Sequence, residues 1–295
     1  MSAPQAATAR VALVTCAELP KLDVDEIAPV APLAARGVLA EPVVWDDPAA
    51  DWDAYDLAVI RSTWDYSDRH AEFVAWAERV PRLANPVDVV RWNTDKTYLR
   101  DLAAVGVPVV ETAWLDPDST LTLPTSGEYV VKPAISCGSR NTGRYDLADS
   151  AQRALAAGLA TKLIAEKRTV MVQPYQHAVD SAGETAVIFF GGHYSHAIRK
   201  GAMLEGPANE VGLYKEEDIR VRSATDTELH VAQQVLAAVP GGAERLLYAR
   251  VDLVPDADGH PVLLELELTE PSLFLRYDEG AADRFADAVV AYLQR

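Results

Sequence analysis

Apolar and polar positions over residues 1–90 follow two alternating rhythms. Residues 10–16 (RVALVTC) form a short, β-branched apolar run of the kind a buried strand uses. Similar runs recur at 41–45 and 55–62, while 25–37 has helical character and stops at Gly37. Over 68–80 (DRHAEFVAWAERV), Phe73, Trp76 and Ala77 return on one face of a helix. Strands alternating with helices predict a small doubly wound α/β unit whose parallel sheet is covered on both sides. Ligands of such sheets sit beyond the carboxyl ends of the strands, which points to 15–19 and 61–66.

After Asn85-Pro86 the rhythm changes. The pattern predicts a helix over 94–105, capped by Thr94 and closed by Gly106, then strands at 107–115 and 129–133. An Ala-rich helix is expected over 147–166. From 169 onward strands are long and often consecutive, at 169–173, 185–190, 193–200, 246–254 and 262–268, with helices after Thr225 and Gly280. Such runs predict an antiparallel α+β unit over the rest of the chain. Residues 117–127 and 201–217 read as loops.

Composition narrows the function. The 295 residues suit two domains or one large α/β domain, and 49% hydrophobic with 24% charged is ordinary globular usage. A net charge of −17 argues against nucleic acid or an anionic membrane as partner, since both require a basic footprint. Two cysteines, Cys16 and Cys137, form neither a disulfide framework nor a zinc spacing, which fits a reducing, cytoplasmic home. Residues 1–10 lack the apolar core of a signal peptide, and the apolar runs are too short to span a membrane. A two-fold homodimer is the default expectation for assembly.

Near the C-terminus, Arg250-Val-Asp252 and Glu265-Leu-Glu267 each occupy an apolar strand, joined through a turn at 256–259. Residues two apart share a face of a strand, so a hairpin would gather three carboxylates and a guanidinium on one surface. Burying them without a partner is costly, and oxygen ligands of this kind suit Mg²⁺. The competing reading is a solvent-facing strand with scattered ion pairs, and these residues alone leave both open. Lys132 ends an apolar strand before a loop of small residues, 136–143, whose backbone N–H groups could meet phosphate oxygens. This loop is neither a P-loop nor a dinucleotide fingerprint. Lys96 and Lys132, taken singly, read first as solvated surface charges.

Taken in order, Lys96, Val-Lys132-Pro, the small-residue loop, Val-Gln173-Pro-Tyr175, Gly183-Glu184, Arg199, Arg250-Val-Asp252 and Glu265-Leu-Glu267 resemble the ATP-grasp superfamily of carboxylate–amine ligases. The thirteen-residue step from Asp252 to Glu265 belongs to that likeness. Residues 61–66 (RSTWDY), 91–96 (RWNTDK), 195–200 (SHAIRK) and 270–273 (EPSL) resemble the small bacterial group that includes O-ureido-serine cyclo-ligases. The resemblance implies a Rossmann-like domain over 1–90, then a two-lobed ATP-grasp domain over 91–295 with its hinge near 173–175.

By the same resemblance, Lys96 and Lys132 meet the α- and β-phosphates of ATP, and Ser136, Gly138 and Ser139 belong to the lid. Gln173, Pro174 and Tyr175 present backbone to adenine, and Glu184 holds the ribose. Asp252, Glu265 and Glu267 take the metal positions, with two Mg²⁺ ions expected; Glu267 stands where the superfamily often has Asn. Arg199 and Arg250 are candidates for stabilising the transferring phosphoryl group. Arg61, Ser62, Trp64, Lys200 and Arg276 are the candidates for holding a small amino-acid-like substrate, although Trp64 and Tyr66 read equally well as core aromatics.

The implied reaction turns a carboxylate into an acyl phosphate, which a nitrogen nucleophile displaces to form an amide-type bond, with ring closure when that nitrogen is intramolecular. Alternatives are an intermolecular amino-acid or peptide ligase, a protein-modifying ligase, and a non-catalytic nucleotide sensor. No GxSxG elbow is present. His193 and His196, three apart on a strand, cannot share a zinc.

Overall fold

The computed structural model describes residues 8–204, 206–208 and 218–295. The loop expected over 201–217 and the opening segment 1–10 fall partly outside the described residues.

The first sheet is built from β1 (Ala9–Thr15), β2 (Val38–Val44), β3 (Leu57–Ser62) and β4 (Leu83–Ala84), in the order β2-β1-β3-β4. All its pairings are parallel. Crossovers carry α1 (Val30–Ala35) and α2 (His70–Ala77), so the doubly wound reading holds. Within the stretch 25–37 only α1 is helical; Pro29 stands at its N-cap and the residues before it form turns.

Next come α3 (Val87–Asn93) and α4 (Tyr98–Ala104). The single helix expected over 94–105 is therefore corrected: Lys96 lies in the turn between two helices. Thr94 does not cap the second helix, because its hydroxyl donates to the Val90 carbonyl (2.9 Å) and closes the first.

A second sheet has the order β5-β8-β6-β7, from β5 (Ala113–Leu115), β6 (Glu128–Pro133), β7 (Gly143–Asp146) and β8 (Val170–Pro174), and α5 (Ser150–Ala165) covers it. Asp149 caps α5 by accepting from the Ala151 and Gln152 N–H groups. The strand expected over 107–115 survives only as β5. Upstream of it, Val109 makes a lone bridge to Leu263, where the chain passes between sheets.

After α6 (Val179–Ala182), a third, antiparallel sheet of order β11-β10-β9-β12-β13 combines β9 (Glu184–Phe190), β10 (His193–Lys200), β11 (Ile219–Arg222), β12 (Tyr248–Pro255) and β13 (Pro261–Glu267). On one side α7 (Asp226–Ala237), started by a Thr225/Glu228 capping box, packs Val231, Val235 and Leu236 against Val187, Phe189 and Val251. On the other, α8 (Ala281–Leu293) packs Phe285 and Val289 against Ile188 and Phe190. Odd and even residues of β9 thus serve two different layers. The α8 layer is continuous with Val11, Leu13, Leu57 and Val59 of the first sheet, so beginning and end of the chain share one core. Among the described residues no helix is long and apolar enough to cross a membrane.

Candidate active site

One face of the third sheet changes character along its length. Register sets Tyr248 opposite Phe190, Arg250 opposite Ile188 and Asp252 opposite Ala186. The flanking pairs are Arg250 with Glu267, Asp252 with Glu265, and Lys200 with Glu184. Around Tyr248 this face is apolar and lies under α8; around Asp252 it is charged. The hairpin therefore gathers its charges as the spacing predicts; Arg250 and Asp252 are buried, and Glu265 and Glu267 are partly buried at the cleft.

Each of these carboxylates has a cation. Asp252 accepts from Lys200 Nζ (2.6 Å) and Arg250 Nε (2.9 Å), and Lys200 also pairs with Glu184 (2.9 Å). Arg250 reaches Glu267, and Lys96 lies 3.1 Å from Glu265. Burial pushes the Asp252 carboxyl up, but Arg250 and Lys200 outweigh it and hold the group below the usual range. Lys96 and Lys132 do the same for Glu265. Glu267 goes the other way: burial, opposed by Arg250 and reinforced by Glu265 and Asp252, lifts it to about 8. Among the described residues, the acids close enough to share one ion, with ligand atoms within 4.8 Å of one another, are instead Asp256 and Asp258 with His260, on the turn between β12 and β13.

The facing wall comes from β6 and the loop behind it. Lys132 is buried, lines the cleft, and among the described residues has no carboxylate within 4.0 Å. Burial lowers its pKa. Lys96 is clamped to the loop: its N–H donates to the Ala134 carbonyl (3.0 Å) and its Nζ to the Ser136 carbonyl (2.7 Å). Burial works against the Lys96 charge, but Glu265 more than restores it. Ser136, Gly138 and Ser139 line the cleft, and Gly138 and Ser139 take positive φ (61° and 60°) as the loop turns back. Arg140 of this loop reaches Asp68 of the first unit at 2.5 Å.

At the other end of the cleft Gln173, Pro174 and Tyr175 leave β8. Gln173 Nε2 donates to Thr112 Oγ1 (2.9 Å), and Arg144 covers the Tyr175 ring at 3.6 Å from its centroid. Val110, Val179, Val254 and Leu264 give this end an apolar floor. Gly183 precedes Glu184 with φ +73°, and a Cβ there would meet the Lys200 carbonyl at 2.4 Å. Only glycine lets the two strands close at this point.

Arg199, expected at the phosphoryl group, and several expected substrate contacts are elsewhere. Arg199 neighbours Lys200 on β10 and so faces away from the cleft, with Nε donating to the Ala182 carbonyl (2.6 Å). Arg61 is fully buried against Glu26 (2.5 Å). Ser62 is buried too and accepts from the Asp23 N–H (3.3 Å). Arg276 holds Asp25 and is half-exposed outside the cleft. Trp64 is buried and supports the site from behind, its indole donating to the Glu270 carbonyl (3.0 Å). Lys200 alone of that group lines the cleft. Two lining features had no role in the sequence reading: the apolar floor, written as ordinary strand residues, and Glu270, which stood only inside the EPSL likeness.

Comparisons with known proteins agree with this architecture. Residues 11–85 match the family model described as D-cycloserine synthetase DcsG, N-terminal domain. The chain is 42% identical over 275 residues to the cycloserine biosynthesis protein DcsG of Streptomyces lavendulae, covering 88% of this chain and 90% of that one. The crystal structure of D-cycloserine synthetase DcsG superposes with a TM-score of 0.85 at 40% identity, over 96% of this chain and 99% of the other. D-alanine–D-alanine ligase from Bacillus anthracis, at 15% identity and a TM-score of 0.64 over 97% and 98% of the two chains, shares the fold. The chain belongs to the D-cycloserine synthetase family of ATP-grasp ligases.

Proposed function

We propose that this ATP-dependent C–N ligase closes an O-ureido-serine-like amino acid to cycloserine. The substrate carboxylate attacks the γ-phosphorus of ATP, ADP leaves and an acyl phosphate forms. The nitrogen bonded to the substrate's side-chain oxygen then attacks the acyl carbon, expels phosphate, gives up its proton and closes the ring. Hydrolysis of the carbamoyl group on that nitrogen, to carbon dioxide and ammonia, completes the product.

The observation that carries the reading is Lys132, a buried cation facing the cleft with no anion within 4.0 Å among the described residues. A polyanionic triphosphate beside Lys132 and Lys96 supplies what is missing. In this reading the Ser136–Gly138–Ser139 loop closes over the phosphates, and the apolar floor near Gln173, Pro174 and Tyr175 takes the adenine. Glu184 takes the ribose. Arg250, rather than Arg199, faces the transferring phosphoryl group.

A hard divalent cation fits the donor set. Burial, reinforced by Glu265 and Asp252, lifts Glu267 to about 8, and a cation beside these acids would offset that cost. Asp252, Glu265 and Glu267 would hold Mg²⁺, two ions in this reading, which when bound offsets triphosphate charge and polarises the γ-phosphoryl group. The same reading takes 1–90 as the preceding domain and 91–295 as the ATP-grasp domain, hinged near 173–175.

The test is to incubate the protein with ATP, Mg²⁺ and O-ureido-serine and to follow phosphate release and cycloserine together. One phosphate per cycloserine is expected. Phosphate release only with pairs of free amino acids, or only with a protein acceptor, replaces ring closure by intermolecular ligation.

A further inference from the structure

Most acids lining the cleft already have a protein cation: Glu184 has Lys200, Glu265 has Lys96 and Glu267 has Arg250. Glu270 lines the same cleft, is more than nine-tenths buried, and among the described residues has no cation within 4.0 Å. The Tyr66 hydroxyl and the Cys137 thiol lie beside its carboxyl, and both are neutral. Burial, against the pull of the Lys96 charge, lifts its carboxyl to about 7, as expected of an acid short of positive charge.

The backbone around Glu270 is held from the other side. Trp64 donates to the Glu270 carbonyl (3.0 Å), and Arg61 donates to the Pro271 carbonyl while fixed by buried Glu26. Residues at the carboxyl end of β3 thus shape the cleft through Glu270: Trp64 and Arg61 set its main chain. A buried carboxylate whose main chain is held by residues of another unit, yet with no cation within 4.0 Å among the described residues, is organised for a cationic group brought by a ligand.

We propose that Glu270 binds the α-ammonium group of the amino-acid substrate. The cleft is otherwise well supplied with cations for phosphate, and a zwitterionic amino acid needs an anion for its ammonium end. This assignment rests on the proposed function for the presence of an amino-acid substrate.

The test compares O-ureido-serine with its des-amino counterpart, hydrogen replacing the α-amino group, on the native chain and on Glu270→Gln. Gln keeps the size of the side chain and removes its charge. Native enzyme is expected to favour the amino compound by roughly a hundredfold in kcat/KM, and Glu270→Gln to lose that preference while its affinity for a non-hydrolysable ATP analogue stays unchanged. Glu270→Asp, which keeps the charge, should retain a preference; it serves as the second variant if Gln does not fold. Equal discrimination by native and Glu270→Gln enzymes overturns the assignment. If native enzyme turns over neither compound, the cyclisation reading fails separately. Calorimetric binding of the same pair in the presence of the ATP analogue then decides the role of Glu270.

Discussion

Lys200 Nζ meets Asp252 Oδ2 at 2.6 Å although β9 runs between their strands. The contact is a diagonal. Lys200 stands opposite Glu184 on β9 and Asp252 stands opposite Ala186, where a methyl leaves the path open. Glu184 completes the arrangement, so one ammonium serves two acids. Lys200→Met should therefore leave, among the described residues, Asp252 with Arg250 alone and Glu184 with no cation within 4.0 Å. Breaking a buried pair from one side costs about 3–5 kcal/mol, which urea unfolding would measure. Mg²⁺ should recover more stability in this variant than in the native chain, because it replaces lost positive charge.

Lys132→Ala should act in opposite directions on nucleotide binding and on the empty protein. Losing a charge-assisted contact to phosphate costs about 1.5–3 kcal/mol, roughly ten- to a hundredfold in ATP affinity by calorimetry. Without nucleotide, removing a buried ammonium that has no carboxylate within 4.0 Å among the described residues should leave the melting temperature unchanged or higher, since its longer-range attraction to Glu265 does not offset the cost of burial. A fall in both quantities would mean that Lys132 is structural.

Glu265→Gln keeps the size of the side chain and removes a charge that Lys96 and Lys132 hold ionised. Metal-dependent phosphate release should disappear while far-UV circular dichroism stays native. Full activity in this variant would remove the acidic hairpin from metal binding.

His196 offers a pH readout away from the cleft. It is buried, its Nε2 lies 2.9 Å from the Leu273 carbonyl and its Nδ1 2.9 Å from Ser195 Oγ. Burial holds its pKa below 6.5, against the pull of the Leu273 carbonyl and Asp278. The unfolded chain therefore takes up the proton first as pH falls. Stability from neutral His196 is fully present above about pH 6.5 and is lost below it. The stability advantage of the native chain over His196→Gln should shrink as pH drops from 7 to 5, measured as paired melting temperatures.

Much of this was legible in residue parity. Arg250, Asp252, Glu265 and Glu267 were placed on one face by their spacing of two, and the pairing of β12 with β13 keeps that arrangement. Parity also decides between Arg199 and Lys200: only one of two neighbours on a strand can enter the cleft. Which of them does so depends on what lies above the sheet, and spacing does not contain that information. Arg61 shows the same limit at longer range. A guanidinium at the carboxyl end of a strand looks like a ligand contact until Glu26, 35 positions earlier, turns out to be packed against it. Lys96 was displaced for a local reason: the apolar spacing runs on through Thr94, whose hydroxyl ends α3 early by bonding back to Val90.

Because Phe285 and Val289 cover the same apolar layer as Val11, Leu13, Leu57 and Val59, the first sheet is finished by a helix far downstream in the sequence. A nascent chain halted before α8 carries that layer bare. A chain cut before α8 should therefore be cleared or aggregate rather than persist as a stable nucleotide-binding fragment.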